Sequence, residues 1–184
     1  MNKLFIGIIV LIIIAAGGYV ILNFRASKVQ EVTVADYKNI SYLVEGRLVQ
    51  LKNGIAETEA APGSASKITT RYFGNELETD LDGDGLKDIT FILTQDSGGS
   101  GTFFYAVAAR NTGAGYVGSN GYLLGDRIAP QSTDLSSDPK QKHVVVFNYA
   151  DRGAGEPMTM PPSVGKSVYL KLNPETMQWE VEDK

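Results

Sequence analysis

Hydrophobic and polar residues alternate in short runs along most of the chain beyond residue 40. Apolar or β-branched segments recur about every ten residues between clusters of Gly, Asn, Asp, Pro and Ser, a spacing typical of strands joined by tight turns. The pattern predicts an all-β fold, an antiparallel sandwich or barrel-like soluble domain without helices. The predicted strands are Tyr42–Val44, Leu48–Leu51, Ile55–Glu59, Lys67–Phe73, Ile89–Gln95, Thr102–Ala109, Tyr116–Val117, Tyr122–Leu124, Val144–Tyr149, Ser167–Leu172 and Met177–Val181, with an isolated apolar residue at Ile128.

Three local patterns refine this expectation. The dipeptide Asn53-Gly54 favours a type I′ hairpin turn, because both residues tolerate the positive φ that this turn requires. The segment Thr102–Ala109 contains too few polar residues to face water on one side, so it is predicted to be a central strand. A segment rich in Pro and Gly, 153–162, precedes a closing hairpin that turns at 173–176.

The amino-terminal segment has a different pattern. No charged residue occurs over the 21 residues from Leu4 to Phe24. As a helix this segment would be about 31 Å long, enough to span the hydrocarbon core of a bilayer. A cleaved signal peptide is the alternative, since Ala15-Ala16-Gly17 offers small residues, but the apolar run continues beyond them and favours an uncleaved anchor.

These observations divide the chain into three parts. Residues 1–28 are predicted to be a transmembrane anchor or uncleaved signal, 29–39 a tether, and 40–184 a β-rich extracytoplasmic domain. Only three of the 17 Lys and Arg residues lie within residues 1–28, whereas all 21 Asp and Glu residues lie beyond them, so the remainder carries a formal charge of −7. That charge argues against nucleic acid or anionic lipid as a partner of the domain. Without cysteine, neither disulfides nor a lipoprotein anchor is available.

One acidic segment carries the main chemical prediction. In the nine residues from Asp80 to Asp88, carboxylates occupy positions 1, 3, 5 and 9, and position 7 can supply a backbone carbonyl. This is the spacing of a calcium loop, in which glycine at position 6 permits the turn around the ion. Two carboxylates about 5 Å apart repel by roughly 3 kcal/mol at an effective dielectric constant of 20, and a divalent cation reverses the sign. The predicted calcium ligands are Asp80, Asp82, Asp84, the carbonyl of Leu86, and Asp88.

The residues that follow the loop argue against a helix–loop–helix sensor. Position 12, where an EF-hand carries a bidentate Glu, is Phe91, and the flanking residues are β-branched and aromatic, as in a strand. The predicted role of calcium is therefore structural, within a β domain. A solvated acidic turn without an ion, or occupancy by sodium or magnesium, stays open. Weak oxygen cages fill at extracellular calcium concentrations, which favours a domain outside the cytoplasm.

The acidic segment resembles the D-x-D-x-D-G-x-x-D loops of FG-GAP repeats and, more distantly, those of dockerins. Both families use calcium in such loops to hold a fold together, although a single loop without repeats argues against a propeller. More widely, the segments 123–131, 148–158 and 162–165 resemble an uncharacterised family of bacterial membrane-anchored or exported β-domain proteins. The resemblance covers most of residues 40–180 and implies export and a single domain, without an activity.

Catalytic candidates are few. His143, the only histidine, begins an apolar strand and is interpreted as a strand-edge residue. The segment 98–102 approaches a nucleophile elbow, but a strand follows it where a helix is needed. Asp126, Asp151 and Glu156 lie in predicted loops beside arginines, where they could act in acid–base chemistry or form ion pairs that pin the loops.

Two classes of function follow from these features. The favoured one is a membrane-tethered, calcium-stabilised binding or structural module of the bacterial envelope, which binds a protein or cell-wall ligand through its loops. The alternatives are a carboxylate-dependent hydrolase acting on envelope glycans, which needs two converging acidic side chains in a cleft, and an inhibitor of an envelope hydrolase that acts through the loop 151–163.

Overall fold

A computed structural model describes residues 36–184 of the chain. The predicted transmembrane segment, the alternative signal peptide and most of the predicted tether lie outside these residues. Within the described part, no helix is both long and apolar enough to cross a membrane.

The described residues form one short 3₁₀ helix, Tyr37–Asn39, followed by strands. All pairings between these strands are antiparallel, so the prediction of an all-β antiparallel fold is confirmed. The strands are β1 (Ser41–Val44), β2 (Arg47–Gln50), β3 (Ile55–Glu59), β4 (Lys67–Thr79), β5 (Asp88–Asp96), β6 (Phe103–Asn111), β7 (Tyr116–Gly118), β8 (Tyr122–Asp126), β9 (Ala129–Leu135), β10 (Val144–Asp151), β11 (Val164–Asn173) and β12 (Gln178–Val181).

The strands build two larger sheets and one hairpin. The six-stranded sheet has the order β3-β4-β5-β6-β7, with β8 pairing beside β7 along the same edge of β6. The four-stranded sheet has the order β12-β11-β10-β9, and β1 and β2 form a separate two-stranded hairpin. The arrangement is sandwich-like, with the hairpin on the outer face of the larger sheet.

One hydrophobic core lies between the two larger sheets. Side chains from β5, β6 and β8 meet those from β10, β11 and β12, and the Trp179 indole packs edge-on against Phe147 and donates to the carbonyl of Ala106. Leu81, from the acidic loop, is also buried here. The acidic loop is therefore fastened to the sandwich core by its second residue.

A second core lies under the β1–β2 hairpin. Tyr42 and Phe91 are both fully buried there and meet edge to face at 5.5 Å between ring centroids. Alternate residues of β6 enter the two cores, and Phe104 to Ala109 are buried without interruption. This arrangement confirms that the segment 102–109 is a central strand.

Two strands differ from the sequence prediction. β9 was missed except for the neighbouring Ile128, because the stretch Ala129–Leu135 is polar and contains a proline. It forms a strand because it pairs along β10, and only Thr133 within it is buried. β4 runs to Thr79 instead of ending at Phe73, since its second half pairs with the start of β5 across irregularities in the register.

The first described residues are fastened to β4 through Glu76. The hydroxyls of Tyr37 and Tyr72 both donate to the Glu76 carboxylate, and the Lys38 ammonium lies 3.9 Å from the centroid of the Tyr72 ring. Burial opposes ionisation of Glu76, yet the two donating hydroxyls hold its pKa below the usual value. The carboxylate thereby pins the 3₁₀ helix, which lies at the end of the predicted tether, to the larger sheet.

A substitution at Gly118 tests how closely the β1–β2 hairpin approaches β7. A Cβ at this position would lie 2.1 Å from the carbonyl oxygen of Ser41, so Gly118→Ala must displace β1. We expect a loss of about 2 kcal/mol or more in the free energy of unfolding, measured with urea. The matched control is Gly165→Ala in β11, where a Cβ meets nothing within 4 Å and the change should stay within about 0.5 kcal/mol. Equal losses in the two variants would contradict the close approach.

Candidate metal centre

The acidic loop connects two strands that pair directly. β4 ends at Thr79 and β5 begins at Asp88, and these two residues are register partners. The chain must therefore reverse within the eight residues between them. Gly83 and Gly85 both adopt a φ of +85°, a left-handed conformation that glycine accepts without strain. The positive φ at Gly85, the glycine at position 6, agrees with the turn predicted there.

Three of the four predicted carboxylates converge. Ligand atoms of Asp80, Asp82 and Asp88 all lie within 4.8 Å of one another. Asp84 is exposed and lies outside this group, and its Oδ1 accepts a hydrogen bond from the backbone N–H of Leu86 at 2.7 Å. The Leu86 side chain is partly exposed beside Gly113. We refer to Asp80, Asp82 and Asp88 as the carboxylate cluster.

The Asp80 carboxylate organises the first half of the loop. Its Oδ1 accepts from the backbone N–H of Gly83 at 2.6 Å, and its Oδ2 accepts from that of Gly85 at 3.0 Å. These donors, with the Gly83 N–H contributing most, lower the pKa of Asp80. The hydrogen bonds hold the carboxylate ionised and directed into the loop.

The Asp88 carboxylate is fully buried. One oxygen accepts from the backbone N–H of Leu81 at 2.8 Å and the other from that of Asn111 at 2.7 Å. Burial raises the pKa of Asp88, the two backbone donors oppose this effect, and the nearby carboxylates of Asp82 and Asp84 add to it. Without a cation, the negative charge of Asp88 is thus held at an energetic cost.

One guanidinium faces the cluster within the described residues. Arg110 Nη1 lies 3.3 Å from Asp82 Oδ2, and the Asp82 side chain is 6% exposed. Lys87, the cation within the loop, is directed away and pairs with Glu78 at 3.1 Å. Three converging carboxylates therefore face a single positive charge, and the local excess is negative.

His143 contributes a contact that the sequence prediction missed. Its Nδ1 lies 2.8 Å from the backbone carbonyl oxygen of Asp80, and its φ of +60° is unusual for a residue other than glycine. His143 directly precedes β10, so this contact joins the acidic loop to the four-stranded sheet. His143 and Asp80 are 63 positions apart in the chain, so no local sequence pattern indicates this contact.

The donor set fits a hard cation. All three converging side chains offer carboxylate oxygens, which calcium and magnesium prefer over the softer transition metals. Asp82 is paired with Arg110, whereas the buried Asp88 has no cationic partner among the described residues. The cost of this buried charge is the physical reason to expect a cation there. Asp80, Asp82 and Asp88 are the residues that would hold it.

The carboxylates considered for acid–base catalysis are engaged elsewhere. Asp126 pairs with Arg127 and accepts from the backbone N–H of Thr102, and Asp151 pairs with Lys166 at 2.7 Å. Glu156 accepts from the backbone N–H of Gly153. These contacts pin loops, which is one of the two roles predicted for these side chains. The segment 98–102 leads directly into β6, without the helix that a nucleophile elbow requires.

Comparison of the chain with protein families, curated proteins and solved structures finds no match. The resemblance to FG-GAP and dockerin loops, and to the envelope family, stays a prediction.

The raised pKa of Asp88 predicts a pH dependence in the absence of metal. A carboxyl group with a higher pKa in the folded state stabilises the fold below its unfolded pKa of about 3.9, and this stabilisation is lost as the pH rises through the folded value. In chelator, wild type should therefore lose stability relative to Asp88→Asn as the pH rises from 4 to 7, as measured by urea unfolding. Asp138→Asn, at an exposed turn position, is the control, and parallel profiles for wild type and Asp88→Asn would contradict the prediction.

Proposed function

We propose that this protein is a membrane-tethered, calcium-stabilised module of the bacterial envelope, with a binding or structural role outside the cytoplasm. The observation that carries the proposal is the convergence of Asp80, Asp82 and the fully buried Asp88 on one point. A cation at this point would offset a repulsion that one guanidinium leaves uncompensated.

The preference for calcium rests on the nature of the loop. Magnesium demands near-ideal octahedral geometry and retains several waters, whereas calcium accepts irregular sets of carboxylate and carbonyl oxygens. The loop supplies carboxylates from positions 1, 3 and 9, and the exposed Asp84 and the carbonyl of Leu86 complete the predicted set. Small backbone adjustments around Gly83 and Gly85 could bring these last two groups to the ion.

A structural role for the ion follows from what the loop connects. The loop joins β4 to β5, is anchored in the sandwich core by Leu81, and contacts His143 before β10. An ion among the carboxylates would therefore stabilise both sheets at once. Such a brace is useful to a domain that has no disulfides.

The location of the protein is proposed from the sequence. The uncharged run from Leu4 to Phe24 is long enough for a single membrane span, and the acidic remainder of the chain gives no reason to bind anionic lipid. A calcium site of modest affinity would be filled outside the cytoplasm. Partners would then be a protein or cell-wall ligand.

The glycan hydrolase is the alternative that the side chains support less well. Asp126 and Asp151 are each paired with a cation, and the apolar cleft described below is lined by one carboxylate, Glu45. Hydrolysis with acid and base partners needs two carboxyl groups across the bond that is cleaved.

Calcium should stabilise the full-length protein against thermal and urea unfolding. An ion that binds only the folded state adds about 2.7 kcal/mol when its concentration is a hundred times the dissociation constant. Asp82→Ala should lose most of this increment, because it removes a carboxylate of the cluster. Asp183→Ala, which removes an exposed carboxylate near the carboxyl terminus, should keep it.

Titrations with magnesium and with sodium distinguish among the possible ions. Calcium should give the largest increase in the free energy of unfolding. Identical unfolding of wild type in calcium and in chelator would exclude the metal site and leave a solvated acidic turn.

Intact-mass measurement tests the anchor. Protein extracted from membranes should retain residues 19–24 and have the mass of the whole chain, because an uncleaved helix is needed to hold it there. A mass that begins shortly after Ala15-Ala16-Gly17 would instead show signal-peptide cleavage and refute the anchor.

A further inference from the structure

A cleft of about 380 Å³ opens at the end of β5 and β6 that is remote from the acidic loop. Its walls come from the β1–β2 turn, from β4, β5, β6 and β8, and from the loop after β5. Clefts of 300–1,000 Å³ are the size that small organic ligands occupy. The lining residues are Glu45, Ile68, Gln95, Ser97, Phe103, Tyr105 and Leu123.

The cleft exists because the hairpin is shorter than the sheet face that it covers. Leu93 and Tyr105 are register partners and are buried beneath the hairpin. The next partners on that face, Gln95 and Phe103, lie beyond the turn at Glu45, and the Phe103 side chain is 37% exposed. The apolar face of the sheet thus continues past its cover and forms the floor of the cleft.

The lining combines an apolar body with a few polar atoms. Ile68, Phe103 and Leu123 supply aliphatic and aromatic surface, and Leu123 is the register partner of Tyr105 on β8. Gln95 is buried and donates through Nε2 to the Thr70 hydroxyl at 3.1 Å. Its carbonyl oxygen is therefore the atom left to accept a hydrogen bond from a ligand.

Glu45 is the single charged residue of this lining. In the described part of the chain it forms no ion pair, and the neighbouring Arg47 donates to the carbonyls of Glu59 and Ala60 instead. Burial and then the adjacent Glu45 carboxylate raise the pKa of Tyr105, so that its hydroxyl stays neutral. The cleft consequently presents, at an aromatic wall, one negative charge that no cation of the described residues pairs.

We propose that this cleft binds an organic ammonium ligand, with the ligand's apolar body on Phe103, Ile68 and Leu123 and its ammonium group at Glu45. An ammonium group donates hydrogen bonds and accepts none, which matches the Glu45 carboxylate and the free Gln95 oxygen. The neighbouring aromatic rings favour a cation further. A neutral or anionic ligand of the same shape would leave the carboxylate unpaired or would be repelled by it.

The cleft is independent of the proposed metal centre. Asp88 begins β5 and Gln95 lies near its end, seven residues further on, so the two sites are about 23 Å apart along the strand. Failure of calcium to bind would not affect the prediction for the cleft, and the reverse holds as well.

The test is a titration of isotope-labelled full-length protein in detergent micelles, followed by two-dimensional ¹H–¹⁵N NMR. The probes are 2-phenylethylammonium chloride, the neutral 2-phenylethanol and the anionic 3-phenylpropanoate. The ammonium probe should bind most tightly and should shift the signals of Gln95, Ser97, Phe103 and Tyr105. Added sodium chloride should weaken the binding of the ammonium probe more than that of the alcohol, because salt screens the attraction between the ammonium group and Glu45.

Two variants separate the contribution of the Glu45 charge to probe binding from that of the apolar wall. Glu45→Gln should raise the dissociation constant of the ammonium probe up to about fivefold, as expected for a partly exposed ion pair, and should leave that of the alcohol unchanged. Glu175→Gln, in the β11–β12 turn and outside the lining of the cleft, removes the same charge and should change neither. A given probe partitions into the detergent to the same extent with every variant. This effect therefore cancels when the dissociation constant of a variant is divided by that of wild type. Phe103→Ala should weaken the binding of both the ammonium probe and the alcohol.

Three results would each overturn the proposal. They are equal affinity of wild type and Glu45→Gln for the ammonium probe, binding of the carboxylate probe as tight as that of the ammonium, and shifts confined to residues outside the cleft.

Discussion

The antiparallel pair β5–β6 is the constraint on which the rest of the structure depends. Both faces of this pair are covered, by the four-stranded sheet on one side and by the β1–β2 hairpin on the other. The buried hydroxyl of Thr90 donates to the carbonyl of Val107 across the pair. Both candidate sites lie at the ends of this pair, where the double cover stops.

Asp88 must satisfy two opposing demands at one of these ends. As the first residue of β5 it is buried like the rest of the strand, and as the last residue of the loop it carries a charge. The backbone N–H groups of Leu81 and Asn111 donate to Asp88 and offset part of the free energy of burying its charge. Arg110 pairs with the neighbouring Asp82 and reduces the repulsion between the two carboxylates. The remaining imbalance is electrostatic, and it makes this loop different from an ordinary polar turn.

Much of the fold could be predicted because local pattern and tertiary role agree. The unbroken apolar stretch of β6 indicates burial on both faces. Asn53 and Gly54 both have the positive φ of the predicted turn, but the strands that they connect are joined only by the bridge Lys52–Ile55, because β2 pairs with β1 and β3 with β4. β9 could not be predicted, because its polar sequence is a strand only through its pairing with β10. The convergence at the loop was predictable from spacing, whereas the His143 contact and the Glu45 cleft depend on distances between elements that no local pattern contains.

The Glu76 pin determines how a mechanical load would enter the domain. A pull on the chain before Asp36 would first meet Tyr37 and Lys38, which are held by side chains of β4 in the larger sheet. The two-stranded hairpin that comes next has only four register pairs and would be easy to peel away if it took the load first. The pin therefore shields this short hairpin and directs force into β4, the longest strand of the described chain.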